Sequence, residues 1–441
     1  MTTTPPRQDA DDFVRCFFEF VHPLFPVLHQ PSFEAQYKSV WLPGGHSKLR
    51  DVVSVEEDCI LLTTLNLVFA LGCQYSSLVP RARRSSLADE LYQQSRKHFV
   101  FEILDASSLP LVQLLLLKGI YLQSSRYPTR FWNVVGLAIR AAQSLGLHLD
   151  IESGTQLSRE MRRRVWHVCV CLDRLLAMSF GRPTMVGKSW NVPVPSMIDD
   201  EYLLNNGEDG VQPEHVPSRM GLFVFSCPLF EILADVLGYF YIDDGANGYP
   251  KHLGSETCNK EVLTQVLDFN RRLDNLFDSI PEYLQTTKII RTVNADKNSS
   301  VNLQQQVLYC RTVTFASITI LLASLKCPYV DTDIGSDSFE TSWDRCLSIL
   351  EHYKDQIHSA AQAIHILQIL RSRGTPELDR NDHSGGPEVS LADSVQSPQI
   401  PLALDSPDQF DLSTFNPYGA EFLADAWFGQ QITSLDFFFT S

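Results

Sequence analysis

The chain reads as all-α, a large multi-helix domain followed by a disordered acidic C-terminal tail. Three observations predict this class. Apolar residues recur at three- and four-residue spacing almost without a break to about residue 373. Alternating strand patterns flanked by turn pairs are nearly absent, with Val192 to Val194 the one short candidate. The periodic stretches are joined mostly by short polar connections, as packing of helix on helix requires.

In chain order the periodicity predicts helices over 9–20, 32–39, 56–77, 82–103, 109–124, 130–146, 158–180, 219–240, 256–279, 301–326 and 338–372. The seventh is the most particular. Ser158 is placed to cap it, Val165, Cys169, Leu172, Leu176 and Phe180 form its apolar stripe, and Gly181 with Pro183 ends it. Asp173 and Arg174 interrupt that stripe. A charge on a buried helix face must be paired, because an isolated one is costly. Asp173 is therefore expected to accept from Arg182 or another arginine and to pin the loop after Gly181 to the helix. From Trp190 to Pro217, four prolines, an Asn205-Asn206-Gly207 turn and several acids predict a long ordered loop over the helical body.

Composition sets the outer boundaries: a disordered N-terminus over 1–12, the helical domain over 13–373, a linker over 374–404 and a distinct segment over 405–441. The linker is rich in Ser, Pro, Asp and Gly and cannot bury enough apolar surface to offset its ordering entropy. The last segment interleaves Phe410, Phe415, Tyr418, Phe422, Trp427, Phe428, Phe437, Phe438 and Phe439 with acids. That alternation keeps large side chains solvated until a partner groove accepts them, and predicts an activation segment. A terminal strand or helix docked on the domain is the alternative.

The net charge is −16, and nine of the acids lie after Arg380, where there is no Lys or Arg. Phosphate backbones would repel such a chain, which argues against direct nucleic-acid binding. The opening residues lack an apolar core of the secretory type, and the apolar run from Leu109 to Leu122 contains Gln113 and Lys118 and is too short to span a bilayer. A soluble intracellular protein with no membrane partner is expected. Ten scattered cysteines encode neither a disulfide scaffold nor a zinc site and are expected to be small buried hydrophobes.

Catalytic motifs fail one after another. Gly187-Lys188-Ser189 lacks the spacing and the preceding strand of a phosphate-binding loop. Asp199-Asp200 and Asp243-Asp244 lack the third Asp of the magnesium site of an isoprenoid cyclase and read as solvated loop acids. There is no Gly-x-Ser-x-Gly elbow and no His-Glu-x-x-His helix. His22 and His29 flank Pro23-Leu24-Phe25-Pro26, where they are expected to pack on aromatics or cap helix ends. Arg162-Arg163-Arg164 and Arg81, Arg83 and Arg84 read as solvated first turns, with import signals or phosphate contacts the alternative. The chain is thus not expected to be an enzyme. An all-helical small-molecule-binding protein or enzyme, with a pocket between helices, is the competing reading.

Three stretches in order resemble one family. They are Phe17 to Phe33 (FFEFVHPLFPVLHQPSF), Ala138 to His148 (AIRAAQSLGLH), and the Arg163 to Pro183 helix with its Arg-Arg-x-x-Trp, Asp-Arg and Gly-Arg-Pro pattern. Together they are similar to the fungal-specific transcription factor domain, the middle homology region of fungal zinc-cluster regulators, over roughly residues 13 to 330. Around Cys327-Pro328, where that family often has an Arg-Pro step, the match is loose. The resemblance implies an all-α regulatory domain in a nuclear transcription regulator, with Asp173, Arg174, Gly181, Arg182 and Pro183 as its structural signature. It further implies a coactivator or the transcription machinery as partner of the tail, and a homodimer or a heterodimer with a zinc-cluster regulator. The family usually carries a binuclear zinc cluster ahead of this domain. No Cys-x2-Cys-x6-Cys run occurs in this sequence and the domain begins almost at Met1, so zinc and DNA contact are family expectations assigned to no residue here. A truncated gene model and a natural variant without its own DNA reader both fit. A metabolic or secondary-metabolite gene cluster is the expected target.

Overall fold

A computed structural model describes residues 5–42, 55–98, 107–123, 127–180, 182–240 and 256–284, with isolated positions at 347, 351 and 364. Among the described residues there are nine α-helices and no strand: α1 Arg7–Cys16, α2 Gln30–Val40, α3 Val55–Gly72, α4 Arg81–His98, α5 Leu109–Gln123, α6 Pro128–Ser144, α7 Gln156–Phe180, α8 Gly221–Phe240 and α9 Glu256–Ser279. The expected helices over 301–326 and 338–372, the linker over 374–404 and the activation segment over 405–441 fall outside the described residues, apart from those isolated positions.

The centre of the fold is α5. Ten of its fifteen residues are buried, so it is apolar around its whole circumference and can only sit inside a bundle. It packs against α3, α6 and α7, while α4 covers α3 and α1 lies across α3. The last of these contacts is close. A Cβ on Gly72 would fall 1.9 Å from the Phe13 carbonyl oxygen, so the backbones of α1 and α3 touch where only glycine fits. On the other side α7 packs on α8, and α8 on α9.

The first predicted helix does not run straight through. After α1 the chain widens into one π turn, Phe17–Val21, in which the His22 amide donates to the Phe17 carbonyl at 2.9 Å. The wider turn brings Phe17, Phe18, Val21 and His22 all inward. The turn after α6 is also specific. Gly146 has φ +65°, its amide bonds to Gln143 O, and the Leu147 amide bonds to Ala142 O, a Schellman closure that needs the left-handed residue.

Two expectations are corrected at this level. Val192 to Val194 forms no strand; it belongs to a loop whose bonds go to side chains of α7. The long apolar stretch is not Leu109–Leu122 but Gly221–Tyr239, nineteen residues that by length and composition alone could cross a membrane. Half of that stretch is buried within the fold, between α7 and α9, and Pro228 lies inside it.

Candidate functional site

Helix α7 carries a stripe of polar side chains at successive turns, and each holds the loop that follows the helix. The stripe starts one turn earlier than Ser158. Thr155, and not Ser158, caps α7, its Oγ1 accepting the Ser158 amide at 3.3 Å. Gln156 Oε1 then accepts the amides of Leu204 at 3.2 Å and Gly210 at 2.9 Å, while its Nε2 donates to Gly210 O at 2.8 Å. Glu160, 2 % exposed, accepts the Ser196 amide at 3.0 Å and the Ser196 hydroxyl at 2.8 Å. His167 Nε2 meets Pro193 O at 3.0 Å. The loop therefore runs back along the helix from which it came, and the predicted ordered loop over 190–217 owes its order to these side chains.

At the far end of the stripe stands the charged pair. Asp173 is fully buried, accepts the amides of Met185 and Val186 at 2.9 Å each, and takes Arg174 Nη1 at 2.7 Å. Arg174 in turn donates to Val186 O at 2.8 Å. Burial pushes the Asp173 carboxyl up, and the two amides and the guanidinium oppose it. The arginine expected to pair with Asp173 is thus Arg174. Arg182 lies elsewhere, its guanidinium 4.9 Å from the centre of the Trp132 ring, and its backbone amide donates to Ala177 O. Pro183 is exposed, and Gly181 is outside the described residues.

A second buried charge cluster joins α7 to the start of the chain. Arg164 is fully buried and donates to the Asp200 carboxylate through Nη1 and to Ile198 O through Nη2 at 2.6 Å. The other Asp200 oxygen accepts the Gln30 amide at 2.6 Å and lies 3.3 Å from His22 Nε2. His29 completes the cluster, with Nε2 3.0 Å from Asp200 O and Nδ1 2.7 Å from Ser32 Oγ in the first turn of α2. Burial would raise the Asp200 carboxyl, but His22, Arg164 and the Gln30 amide outweigh it and hold it below the carboxylate range. Burial pushes His22 down despite Asp200. Asp199 turns the other way and accepts Ser218 Oγ at 2.9 Å and the Arg219 amide at 2.8 Å.

These positions correct two sequence expectations. Asp199 and Asp200 are not solvated loop acids, being 5 % and 7 % exposed. Nor is the arginine run a solvated turn: besides Arg164, Arg162 donates to Leu145 O and Gly146 O at the end of α6, and Arg163 bridges Asp150 and Glu160. Arg84 donates to Val79 O and Gln74 O. His22 does pack on aromatics, 5.2 Å from Phe18, and His29 does sit at a helix start. The carboxylate that joins them, Asp200, is remote in sequence and could not be read from their surroundings.

Chemically the arrangement is closed. Glu160 and Asp173, the carboxylates on the stripe, are each bound to donors of the loop and to an arginine of α7 itself. Among the described residues no group of three or more His, Cys, Asp or Glu is placed to hold a metal ion. Cys16, Cys73, Cys169 and Cys171 are buried free thiols, as expected of small hydrophobes, while Cys59 is half-buried and buried Cys227 departs from that expectation: against burial, Cys171 and His167 hold its thiol down. The group can hold a loop and two helices in one geometry, and its residues offer a substrate no unengaged carboxylate.

Comparison with known proteins gives a consistent result. A model of the fungal specific transcription factor domain matches residues 14–287, more than half of the chain. The chain is 31 % identical over 186 residues to sorbicillinoid biosynthetic cluster transcription factor 2 of Penicillium rubens, covering 41 % of this chain and 26 % of that protein. It is 27 % identical over 189 residues to the lactose regulatory protein of Kluyveromyces lactis, covering 43 % and 20 %. With cutinase transcription factor 1 alpha of Fusarium vanettenii it shares 24 % identity over 243 residues, covering 54 % and 25 %. The chain thus spans about a quarter of the length of these relatives. No solved structure matches it.

Proposed function

We propose, from the premise that this chain belongs to the fungal-specific transcription factor domain family, that it regulates transcription by RNA polymerase II of genes for a metabolic or secondary-metabolite cluster. The family is one of transcription regulators and not of enzymes. The match over residues 14–287 carries the reading. The relatives that support the target class are named for sorbicillinoid biosynthesis, lactose and cutinase regulation.

In this reading the helical body is the regulatory domain, and the clasp of α7 on its loop keeps that body in one conformation. The segment over 405–441 recruits a coactivator or the transcription machinery through Phe410, Phe415, Phe422, Trp427, Phe428, Phe437 and Phe438. DNA is reached through a zinc cluster outside this sequence or through a dimer partner that has one, and the protein acts in the nucleus. A reporter assay with the chain tethered to a foreign DNA-binding domain tests the proposal. Activation should fall to background on deletion of 405–441 and on replacing Trp427 and Phe428 with Ala. Full activation by the deleted chain would remove the tail from the mechanism. Co-purification with a zinc-cluster protein tests the dimer.

A further inference from the structure

A cavity of about 440 Å³ lies between α1, the π turn, α2 and Arg219, which stands two residues before α8. Its size falls in the range of small-molecule sites, roughly 300–1,000 Å³. Val14, Phe18 and Tyr37 form an apolar wall, and around that wall stand three acids and three cations. How those charges are paired decides what can enter.

Each acid has its partner within the protein. Asp11 accepts the Tyr37 hydroxyl at 2.5 Å, and Glu19 takes Arg15 Nη1 at 2.5 Å while Arg15 Nη2 reaches Asp12 at 2.6 Å. Glu34 accepts Gln30 Nε2 through one oxygen at 2.9 Å and Lys38 Nζ through the other at 3.1 Å. Burial would raise the Glu34 carboxyl, but Gln30 and Lys38 outweigh it and hold it below its ordinary value.

Arg219 differs from the other two cations. Its guanidinium makes one bond, from Nη2 to the Phe18 carbonyl at 3.1 Å, and among the described residues no carboxylate is within ion-pair distance of it. Asp199 accepts its backbone amide at 2.8 Å and the Ser218 hydroxyl at 2.9 Å, and so anchors the residue without neutralising it. The bond to Phe18 tethers the group at the cavity and leaves most of its planar fork of donors unused, a fork that matches a carboxylate. The other charges cancel in pairs. An anionic head therefore gains from Arg219, and an apolar body gains from the wall beside it.

We propose that this cavity binds a small organic monocarboxylate, its carboxylate on the Arg219 guanidinium and its apolar body against Val14, Phe18 and Tyr37. The site is distinct from the α7 clasp and goes beyond the transcriptional reading, which would stand if no acid bound.

Titration of the full chain with phenylacetate tests it, by calorimetry and by melting temperature, with phenylacetamide and phenethylamine as neutral and cationic probes of similar body. Phenylacetate should bind saturably at millimolar concentration or below and raise the melting temperature in proportion to the logarithm of its concentration. The amide and the amine should bind about tenfold more weakly or not at all. Arg219→Gln, at an exposed position, should weaken phenylacetate binding about tenfold or more. Glu34→Gln should leave it equal or tighter, because a like charge is removed, and Arg140→Gln, on an exposed position of α6 outside the cavity, should leave it unchanged. Absence of saturable phenylacetate binding, tighter binding of the amine, or equal binding by wild type and Arg219→Gln would overturn the proposal.

Discussion

Glu160 and Ser196 are joined twice: one carboxylate receives both the amide and the hydroxyl of a single serine, at 3.0 and 2.8 Å. Neither residue is near the apolar stripe that marks α7 in the sequence. A carboxylate that is almost fully buried must be matched by donors, and a loop with four prolines has few backbone bonds of its own to make. Each therefore supplies what the other lacks. Glu160→Gln keeps the shape but weakens both bonds, each worth about 1.5–3 kcal/mol when one partner is charged. Limited proteolysis should show cleavage around exposed Val211 accelerated about tenfold or more, with helix content unchanged. Equal cleavage rates would show that the loop is held by other means.

Asp173→Ala removes the acceptor of two amides and leaves buried Arg174 with only Val186 O and, at 3.8 Å, the half-buried Glu231 carboxylate. The cost should be about 3–5 kcal/mol in urea unfolding, the range for breaking a buried pair. Replacing Arg182 with Gln, by contrast, removes a cation held over the Trp132 ring at the half-exposed end of the helix and should cost clearly less than Asp173→Ala. Similar losses from the two substitutions would contradict the pairing described.

The His22–Arg164–Asp200 cluster sets the acid limb of stability. Both His22 and Asp200 have folded pKa values below their unfolded ones. A group depressed on folding stabilises above its unfolded pKa and loses that contribution as pH falls towards the folded value. For His22 the loss should begin below about pH 6.5, and for Asp200 below about pH 4. Unfolding free energy measured from pH 3 to 8 should fall in two steps. His22→Gln should remove the upper step and Asp200→Asn the lower one; a profile unchanged by either substitution would rule the cluster out.

Two glycines should respond differently to alanine. At Gly72 the new methyl meets the Phe13 carbonyl, and separating α1 from α3 should cost about 1–3 kcal/mol or more. At Gly146 nothing lies within 4 Å, so only the left-handed backbone is strained, for about 1–2 kcal/mol. Thermal unfolding of the two variants gives the comparison, and the larger loss should come with altered packing of Phe13.

Most helices were legible because an amphipathic period is a local property. The predicted 130–146 and 256–279 lie within two residues of α6 and α9. The first helix was less so, since nothing local announces the π turn at Phe17–Val21. At the site, Asp173 and Arg174 could be singled out as charges inside an apolar stripe, yet the choice of Arg174 over Arg182 needed coordinates. Glu160 and Gln156 passed unnoticed and Arg164 was read as part of a solvated turn, although their spacing at successive turns is the signal that could have found them. Asp199 and Asp200 were misread for a related reason: a loop acid looks solvated until the element that buries it is known.

The sequence by itself therefore determined the helical class, the order of the elements, the α7 landmark and the family, because each rests on residues close together in the chain. Tertiary structure alone decided which charges are buried and with whom. Asp200 meets Gln30 and His22 across some 170 residues, and Tyr121 meets Asp89 only because α4 and α5 come together in the bundle. Pairing of buried charges depends on distance in space and on the exclusion of water, and neither is written in local spacing.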